Sequence, residues 1–278
     1  MKRGRIAKFV AACLFLLSLS FAASAAKVDT VQTFSKIMNK SIRAVVILPN
    51  HYKKKEAYPV VYLLHGFAGN CTDWIKKVPS ITHLSDSYHA IIVCPDGGFA
   101  GWYINSPVNK DWQYDTYVSK ELVTYIDENY ATIKNRTGRA ITGLSMGGHG
   151  ALSLAIRHQD VYGAAGSMSG GVDLRPFATS FGINQILGKY EDNPQVWADH
   201  SVVGMVNNLK PNVLKITFDC GVDDFFFSVN NQLHDLLLKA KIPHDYTVRP
   251  GSHTWEYWEN SINYHMVFFD RFFKHANQ

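Results

Sequence analysis

The pentapeptide Gly-Leu-Ser-Met-Gly at positions 143–147 constrains the fold more strongly than any other feature of the sequence. It follows a short strand-like run at 139–142, and from Met146 onward small residues and leucines recur at a spacing typical of a helix packed closely on a sheet. A serine between such a strand and helix needs glycine on either side, because a Cβ atom would clash where the backbone folds sharply. The pattern therefore predicts a nucleophile elbow in which Ser145 begins the helix, and with it a serine hydrolase.

The pentapeptide alone also fits a glycine-rich turn that carries an ordinary serine, so partner residues decide between the two interpretations. A serine nucleophile needs a histidine to take its proton and an acid to orient that histidine, and in α/β-hydrolases these follow in the order serine, acid, histidine. His253 lies in a glycine-containing turn after a strand-like run, and we predict it as the general base. The acid belongs to the cluster at 219–224, where spacing leaves both Asp223 and Asp224 open. Asp219 is interpreted as the end of its strand.

An oxyanion hole needs two preorganised N–H donors for the tetrahedral intermediate. We predict that the backbone N–H of Met146, the residue after the nucleophile, is one of them. The second is predicted at Phe67, in the turn at 65–69 that follows the strand-like run at 60–64. His65 precedes the serine and lies in this same turn, so it is interpreted as a structural residue and not as a catalytic base.

Five segments of the chain together resemble one branch of the α/β-hydrolases, the esterase D or S-formylglutathione hydrolase-like branch. They lie in family order at 63–66, 101–103, 143–148, 221–224 and 251–255. This branch also includes tributyrin-type esterases, the feruloyl and acetyl-xylan esterases of carbohydrate esterase family one, and the related mycolyltransferases. The acid of the family is the last residue of a Gly-x-x-Asp element, which is Asp224 here. The resemblance therefore implies the triad Ser145, Asp224 and His253.

Length and composition suit one globular enzyme, since 46% of the 278 residues are hydrophobic. Strand and helix patterns alternate, which predicts a single α/β domain over 27–278, with a mostly parallel sheet and helices on both faces. The first two strands are predicted to be antiparallel, and the segment at 170–209 is predicted to be a small cap insertion beside an open cleft. The eight strands are expected near residues 28–33, 42–48, 60–64, 90–94, 140–142, 163–168, 213–218 and 245–248.

Residues 1–26 differ from the rest of the chain and predict an export signal. Four basic residues precede an apolar run at 9–21, and the small residues at 23–26 suit a cleavage site. We therefore expect a periplasmic or secreted protein. Without this segment 28 − 4 = 24 basic residues face 23 acidic ones, so the mature chain is nearly neutral and has no basic stripe for nucleic acid. No later segment approaches the roughly 20 apolar residues of a membrane-spanning helix.

Three cysteines follow the export signal, namely Cys71, Cys94 and Cys220. An odd number leaves at least one thiol free, and Cys71 with Cys94 is the pair whose positions after neighbouring strands suit a disulfide. The competing interpretation is three free and mostly buried thiols. No group of histidines, cysteines or acids has the spacing of metal ligands, so we predict no cofactor.

Three aromatic residues are predicted to bind the substrate. Trp102 and Tyr103 lie in the glycine-rich loop at 96–112, where they either line the site or pack the loop itself. Trp255 begins the last helix, two residues after His253.

The predicted function is that of an exported serine carboxylesterase acting on short-chain acyl, feruloyl or acetyl esters, with plant polysaccharides as the expected alcohol component. Export argues against a glutathione thioesterase, because that thiol pool is cytosolic. The competing hypotheses are an acyltransferase of the mycolyltransferase type, an S-formylglutathione hydrolase-like thioesterase and a non-catalytic carbohydrate-binding relative. The expected partner is a small-molecule or polysaccharide-linked ester, with no nucleic acid and no stable membrane insertion.

Overall fold

A single eight-stranded sheet organises the protein, and the computed structural model describes residues 26–276. Its strands are β1 (Lys27–Ser35), β2 (Lys40–Leu48), β3 (Val60–Leu64), β4 (Ile91–Pro95), β5 (Arg139–Gly143), β6 (Ala164–Met168), β7 (Lys215–Gly221) and β8 (Asp245–Arg249). They lie in the order β1-β2-β4-β3-β5-β6-β7-β8. β1 and β2 are antiparallel, β2 also runs antiparallel to β4, and β3 to β8 run parallel to one another.

Helices cover both faces of this sheet, which is why every residue of the central strands β3 to β6 is buried. The α-helices are α1 (Asp73–Lys77), α2 (Ile81–Ser87), α3 (Tyr114–Thr116), α4 (Val123–Asn129), α5 (Met146–Arg157), α6 (Ile183–Leu187), α7 (Pro194–His200), α8 (Phe227–Lys239) and α9 (Trp255–Ala276). A π-helical turn, Tyr117–Leu122, joins α3 to α4. The core on one face takes its side chains from α1, α2 and α9, and the core on the other face from α4, α5 and α8.

The structure confirms the predicted mostly parallel sheet and the antiparallel first pair of strands, while strand ends shift by up to three residues. The largest shift is in β7, which runs to Gly221 and not to 218. Asp219 lies inside this strand, paired with Thr247 of β8, so its interpretation as the strand end was wrong. The physical reason is that Asp219 is buried and ion-paired with Arg249, which lets a carboxylate occupy a strand interior.

The cap insertion between β6 and β7 consists of four short helices. These are α6, α7 and two 3-10 helices, Arg175–Phe177 and Val202–Asn208. The first part of this insertion reaches the carboxyl ends of the parallel strands. Because β5, β7 and β8 are parallel, the residues that follow them meet at that same edge of the sheet.

The predicted export signal falls on residues 1–26, of which 1–25 lie outside the described residues, so it stays a prediction. Across residues 26–276, none of the helices combines the length and the apolar character needed to cross a membrane.

Candidate active site

Ser145 occupies a sharp turn between β5 and α5, with φ 55° and ψ −117°. The flanking glycines have no room for a side chain: a Cβ atom at Gly143 would lie 2.7 Å from the carbonyl oxygen of Gly147. One at Gly147 would lie 2.6 Å from the backbone oxygens of Leu64 and His65. A non-glycine residue with such a φ is strained, and strain of this kind is concentrated at functional sites. The turn has the geometry of the predicted nucleophile elbow.

Hydrogen bonds connect Ser145 to a histidine and an acid from two other loops. The hydroxyl of Ser145 lies 2.8 Å from Nε2 of His253, and Nδ1 of His253 lies 2.8 Å from Oδ2 of Asp224. The second carboxylate oxygen of Asp224 accepts the backbone N–H of Phe226 at 2.8 Å. Nδ1–H therefore donates to the carboxylate, which leaves Nε2 free to accept the serine proton.

Asp224 and its neighbour Asp223 differ in burial. Asp224 is 5% exposed, whereas Asp223 is exposed to solvent. The backbone N–H of Asp223 donates to the carbonyl oxygen of Gly251, which ties the acid-bearing turn to the turn that carries His253. The structure thus brings together the three residues implied by the resemblance and leaves Asp223 on the surface.

The two N–H groups predicted for the oxyanion hole differ from their neighbours in their hydrogen bonding. Ala68 and Gly69, next to Phe67, donate their N–H groups to Phe99 and Gly66. In contrast, the N–H groups of Phe67 and Met146 donate to no backbone acceptor anywhere in residues 26–276. Phe67 lines the cleft beside Ser145, and Met146 is the residue that follows the serine.

His65 is held inside the fold by three hydrogen bonds. Its Nε2 accepts the N–H of Gly97 at 2.8 Å, and its Nδ1 donates to the carbonyl oxygen of Gly66 at 2.8 Å. Its own carbonyl oxygen accepts the hydroxyl of Tyr103. The side chain is 1% exposed. Both ring nitrogens are thus occupied in joining the turns after β3 and β4, which is a structural role.

A cleft of about 330 Å³ opens in front of Ser145 and His253. One side, the phenyl wall, consists of Phe67, Phe181 and Phe225. The rings of Phe67 and Phe181 are 5.7 Å apart, and those of Phe181 and Phe225 stack at 5.8 Å with an interplanar angle of 16°. The ring of Phe225 lies 4.3 Å from that of His253. This wall is an aromatic surface that ends at the histidine.

The other side, the indole wall, consists of Trp255 and Trp258 together with Asp73 and Lys77. The ring of Trp258 lies 4.8 Å from that of His253, and the two indoles are 5.4 Å apart. The ammonium of Lys77 lies 5.8 Å from the centroid of Trp255. This wall combines an aromatic surface with one acidic and one basic side chain.

Trp102 and Tyr103, predicted to bind the substrate, are 1% exposed and do not line the cleft. The indole N–H of Trp102 donates to the carbonyl oxygen of Phe181, and the ring of Tyr103 fills space beside Gly97 and Gly150, where added Cβ atoms would lie 2.4 Å from it. Both residues therefore pack the loop and support the cap, which corrects the prediction. An aromatic residue in a glycine-rich loop has the same sequence signature in either role.

Trp255, in contrast, lines the cleft. Sequence reasoning missed Phe181 and Phe225. The run of three phenylalanines at 225–227, directly after the acid, was a signal for Phe225. Consecutive aromatic residues after a polar turn can form an exposed apolar patch, and such patches often mark binding sites.

The three cysteines of the described region, Cys71, Cys94 and Cys220, are free and buried. Of the two alternatives left open by the sequence, the structure therefore shows the three free thiols and no Cys71–Cys94 disulfide. Burial raises the pKa of each thiol above its ordinary value. These thiols are therefore poor nucleophiles. Within residues 26–276 no group of three or more histidine, cysteine or acidic side chains has the arrangement of a metal site.

A larger cavity, of about 610 Å³, lies at the β1–β2 edge of the sheet, lined in part by Tyr52, Tyr125 and Tyr130. None of the residues predicted for the active site lines it. The chemistry of a hydrolase therefore belongs to the smaller cleft.

Comparison with protein families gives a match to the family described as "Putative esterase" over residues 35–269. An acetyl esterase of Caldicellulosiruptor saccharolyticus is 26% identical over 261 residues, which cover 84% of this chain and 94% of that esterase. An S-formylglutathione hydrolase of Arabidopsis thaliana is 26% identical over 260 residues, which cover 84% of this chain and 89% of that hydrolase.

Solved structures give the same family and fold. A ferulic acid esterase superposes with a TM-score of 0.77 at 30% identity, covering 89% of this chain and 99% of that protein. FphF, a fluorophosphonate-binding serine hydrolase of Staphylococcus aureus, superposes with a TM-score of 0.76 at 20% identity over 88% of this chain and 99% of its own, a likeness of fold. The chain thus belongs to the esterase family and is a serine carboxylesterase with the α/β-hydrolase fold.

Proposed function

We propose that the protein hydrolyses carboxylic esters through an acyl-enzyme on Ser145, with His253 as general base and acid and Asp224 as the residue that orients it. The observation that carries this proposal is the unbroken chain of two 2.8 Å hydrogen bonds from the serine hydroxyl to the buried carboxylate. Such a chain activates a serine that is a weak nucleophile by itself.

In the first half of the reaction Oγ of Ser145 attacks the carbonyl carbon of the ester while Nε2 of His253 takes the hydroxyl proton. The oxyanion that forms accepts hydrogen bonds from the N–H groups of Phe67 and Met146. The bond to the alcohol oxygen then breaks, and the imidazolium gives its proton to the leaving alcohol. Asp224 stabilises the positive charge on His253 throughout.

In the second half a water molecule replaces the alcohol. His253 takes a proton from this water as its oxygen attacks the acyl carbon, and a second tetrahedral intermediate uses the same two N–H donors. The bond to Oγ of Ser145 breaks, the serine recovers its proton from the histidine, and the carboxylic acid leaves. No cofactor takes part in either half.

The two walls of the cleft suggest where the parts of the ester lie. The phenyl wall offers ring-stacking partners to an aromatic or short acyl group, and the indole wall offers a sugar both a stacking surface and polar groups. Feruloyl or acetyl esters on plant polysaccharides fit this division, in agreement with the names of the ferulic acid esterase and acetyl esterase relatives. Residues 1–26 support the further proposal that the enzyme is exported, to the periplasm or the medium.

The test of the substrate class is kcat/KM for methyl ferulate, acetylated xylan, p-nitrophenyl acetate and p-nitrophenyl octanoate. Phe181→Ala removes the middle ring of the phenyl wall. We expect about a fivefold lower kcat/KM for methyl ferulate, because a lost aromatic contact is worth about 1 kcal/mol, and a kcat/KM for p-nitrophenyl acetate within about twofold of the wild type. Phe34→Ala is the matched control, since Phe34 is exposed, lies on β1 at the far edge of the sheet and does not line the cleft. Activity on the p-nitrophenyl esters alone would indicate a general carboxylesterase.

Transfer of the acyl group to a sugar hydroxyl is a second candidate, favoured by the indole wall next to His253. A hydroxyl bound there would meet the acyl-enzyme where water attacks in hydrolysis. Products formed from methyl ferulate in the presence of xylose or a xylo-oligosaccharide distinguish the two. A feruloylated sugar indicates transfer, whereas free ferulic acid as the sole product indicates hydrolysis.

A further inference from the structure

A buried polar network joins the strands that carry the site, and the proposed mechanism does not use it. His265, on α9, is 1% exposed; its Nε2 donates to Oδ2 of Asp219 at 2.8 Å, and its Nδ1 lies 2.8 Å from Oγ1 of Thr142. Oδ2 of Asp219 also accepts the hydroxyl of Ser261, and Oδ1 lies 3.5 Å from Nη1 of Arg249. Buried polar groups such as these are costly to leave unpaired, so the network holds its members together.

His265 connects two strands that are not neighbours. Thr142 belongs to β5 and Asp219 to β7, and β6 lies between them in the sheet. Gly166 of β6 makes the crossing possible, because a Cβ atom there would lie 2.4 Å from Nδ1 of His265 and 2.7 Å from Oγ1 of Thr142. The imidazole therefore lies across β6 at the one position where that strand has no side chain in the way.

The network is close in sequence to every part of the proposed triad. Ser145 follows Thr142 by three residues, Asp224 follows Asp219 by five, and the general base lies four residues after Arg249. The network therefore contacts β5, β7 and β8 close to the points where these strands lead to the three triad residues.

The charge of Asp219 keeps the network in one arrangement. Burial alone would raise the pKa of Asp219, but hydrogen bonds from His265 and Ser261 and the charge of Arg249 hold it below its ordinary value. Both hydrogen bonds to this buried carboxylate are made to Oδ2, so the loss of His265 or Ser261 would leave the charge with fewer partners in an apolar surrounding.

We propose that Thr142, His265 and Asp219 are positioning residues for ester hydrolysis, which fix β5, β7 and α9 relative to one another so that the triad keeps its hydrogen-bond geometry. The proposal rests on the triad of the proposed function. Displacement of a catalytic group by about 1 Å can lower the rate about a hundredfold. The rate of hydrolysis therefore depends on contacts that hold β5, β7 and α9 in place.

Thr142→Val tests it, since valine keeps the shape of the side chain and removes the hydroxyl that meets His265. Thr33→Val is the matched control: Thr33 is also buried, its hydroxyl lies 2.7 Å from that of Tyr117, and it belongs to β1 at the far edge of the sheet. With p-nitrophenyl acetate we expect Thr142→Val to lower kcat about tenfold with KM changed less than about twofold, and Thr142→Ser to recover the lost activity. Each of the two threonine-to-valine substitutions removes one buried hydroxyl, so we expect both to lower the melting temperature by a similar amount. Thr33→Val is nevertheless expected to keep kcat within about twofold of the wild type.

A double-mutant cycle with His265→Gln adds an independent readout. Because both substitutions break the same contact, the double variant is expected to lose less kcat than the product of the two single losses. A Thr142→Val enzyme with wild-type kcat, or an equal loss of kcat in Thr33→Val, would overturn the positioning role. If Ser145→Ala is inactive in the same assays, the proposed triad still stands. An active Ser145→Ala would overturn the triad and this inference together.

Discussion

Nδ1 of His253 lies 2.8 Å from Oδ2 of Asp224, while the adjacent Asp223 is exposed to solvent. Two successive acids after the same strand thus have different environments. Two backbone hydrogen bonds fix the turn that carries both acids: the N–H of Asp223 donates to the carbonyl oxygen of Gly251, and the N–H of Asp224 donates to that of Gly221. This arrangement directs one carboxylate to the histidine and the other to water.

Paired substitutions of the two acids test this difference. Asp224→Asn keeps the size of the side chain but removes the charge that stabilises the imidazolium and selects its tautomer, so we expect kcat to fall by about three to four orders of magnitude. Asp223→Asn, the matched control, is expected to keep kcat within about twofold. Steady-state kinetics on p-nitrophenyl acetate measure both. An equal loss in the two variants would show that the turn as a whole, and not the Asp224 carboxylate, is required.

Gly147→Ala is expected to damage both stability and activity. Its Cβ atom would lie 2.6 Å from the backbone oxygens of Leu64 and His65, which cannot move without shifting β3 and the oxyanion turn. Overpacking of this kind costs about 1–3 kcal/mol of unfolding free energy. Urea denaturation measures the loss, and residual kcat/KM reports the displacement of the elbow. Wild-type values of both would contradict the tight packing of the elbow against β3.

Substitution of Trp102 is expected to lower stability, whereas substitution of Trp255 is expected to raise KM. Trp102→Phe removes a buried indole that donates to Phe181, so we expect about 2 kcal/mol lower stability with little change in KM. Trp255→Ala removes a cleft side chain that is only partly buried, so we expect a KM several-fold higher for sugar esters. Thermal denaturation and Michaelis–Menten kinetics on acetylated xylan separate the two effects. A raised KM in Trp102→Phe at unchanged stability would restore a substrate-binding role for that residue.

The sequence was sufficient for the parts of the fold and site that depend on local chemistry. A strand, an elbow and a helix each impose their own pattern, so Ser145 and the strands around it could be located from glycine spacing and apolar periodicity alone. The family resemblance then selected Asp224 over Asp223. Spacing could not make that choice, because it depends on the turn at Gly251, 27 residues further along the chain.

The cleft walls could not be derived in the same way. Phe181 comes from the cap insertion, and its contact with Phe225 depends on how that insertion folds back on the sheet. Trp102 was assigned to the pocket because aromatic loop residues often bind ligands, but its indole is turned inward toward His149. Local patterns locate the groups that do chemistry, whereas the shape of the pocket depends on packing between distant segments.

Acid is expected to destabilise the protein through His149. Burial lowers the pKa of this histidine from 6.5 to about 4, and its Nε2 donates to the carbonyl oxygen of His200. Between those two pH values the unfolded chain takes up a proton and the folded chain does not, so stability falls as the pH falls, by about 1.4 kcal/mol per pH unit. Above pH 6.5 this histidine contributes no pH dependence.

Urea denaturation at about pH 7 and about pH 4.5 measures this effect, with His149→Gln as the comparison. Glutamine can donate a hydrogen bond but does not titrate, so the variant should lose less stability between the two pH values. Burial also lowers the pKa of His200, so this histidine likewise lowers stability as the pH falls. Because the wild type and His149→Gln both contain His200, its contribution does not distinguish them. An identical pH dependence in the two proteins would exclude His149 as a cause.

Labelling with a fluorophosphonate shows whether Ser145 is the nucleophile of this esterase. The purified protein is incubated with the reagent, the adduct is located by peptide mass spectrometry, and the residual hydrolysis of p-nitrophenyl acetate is followed in the same samples. We expect one adduct per chain, on Ser145, with activity lost in proportion to labelling. Full inactivation with the adduct on another residue, or a folded protein that stays active and unlabelled, would show that Ser145 is not the nucleophile.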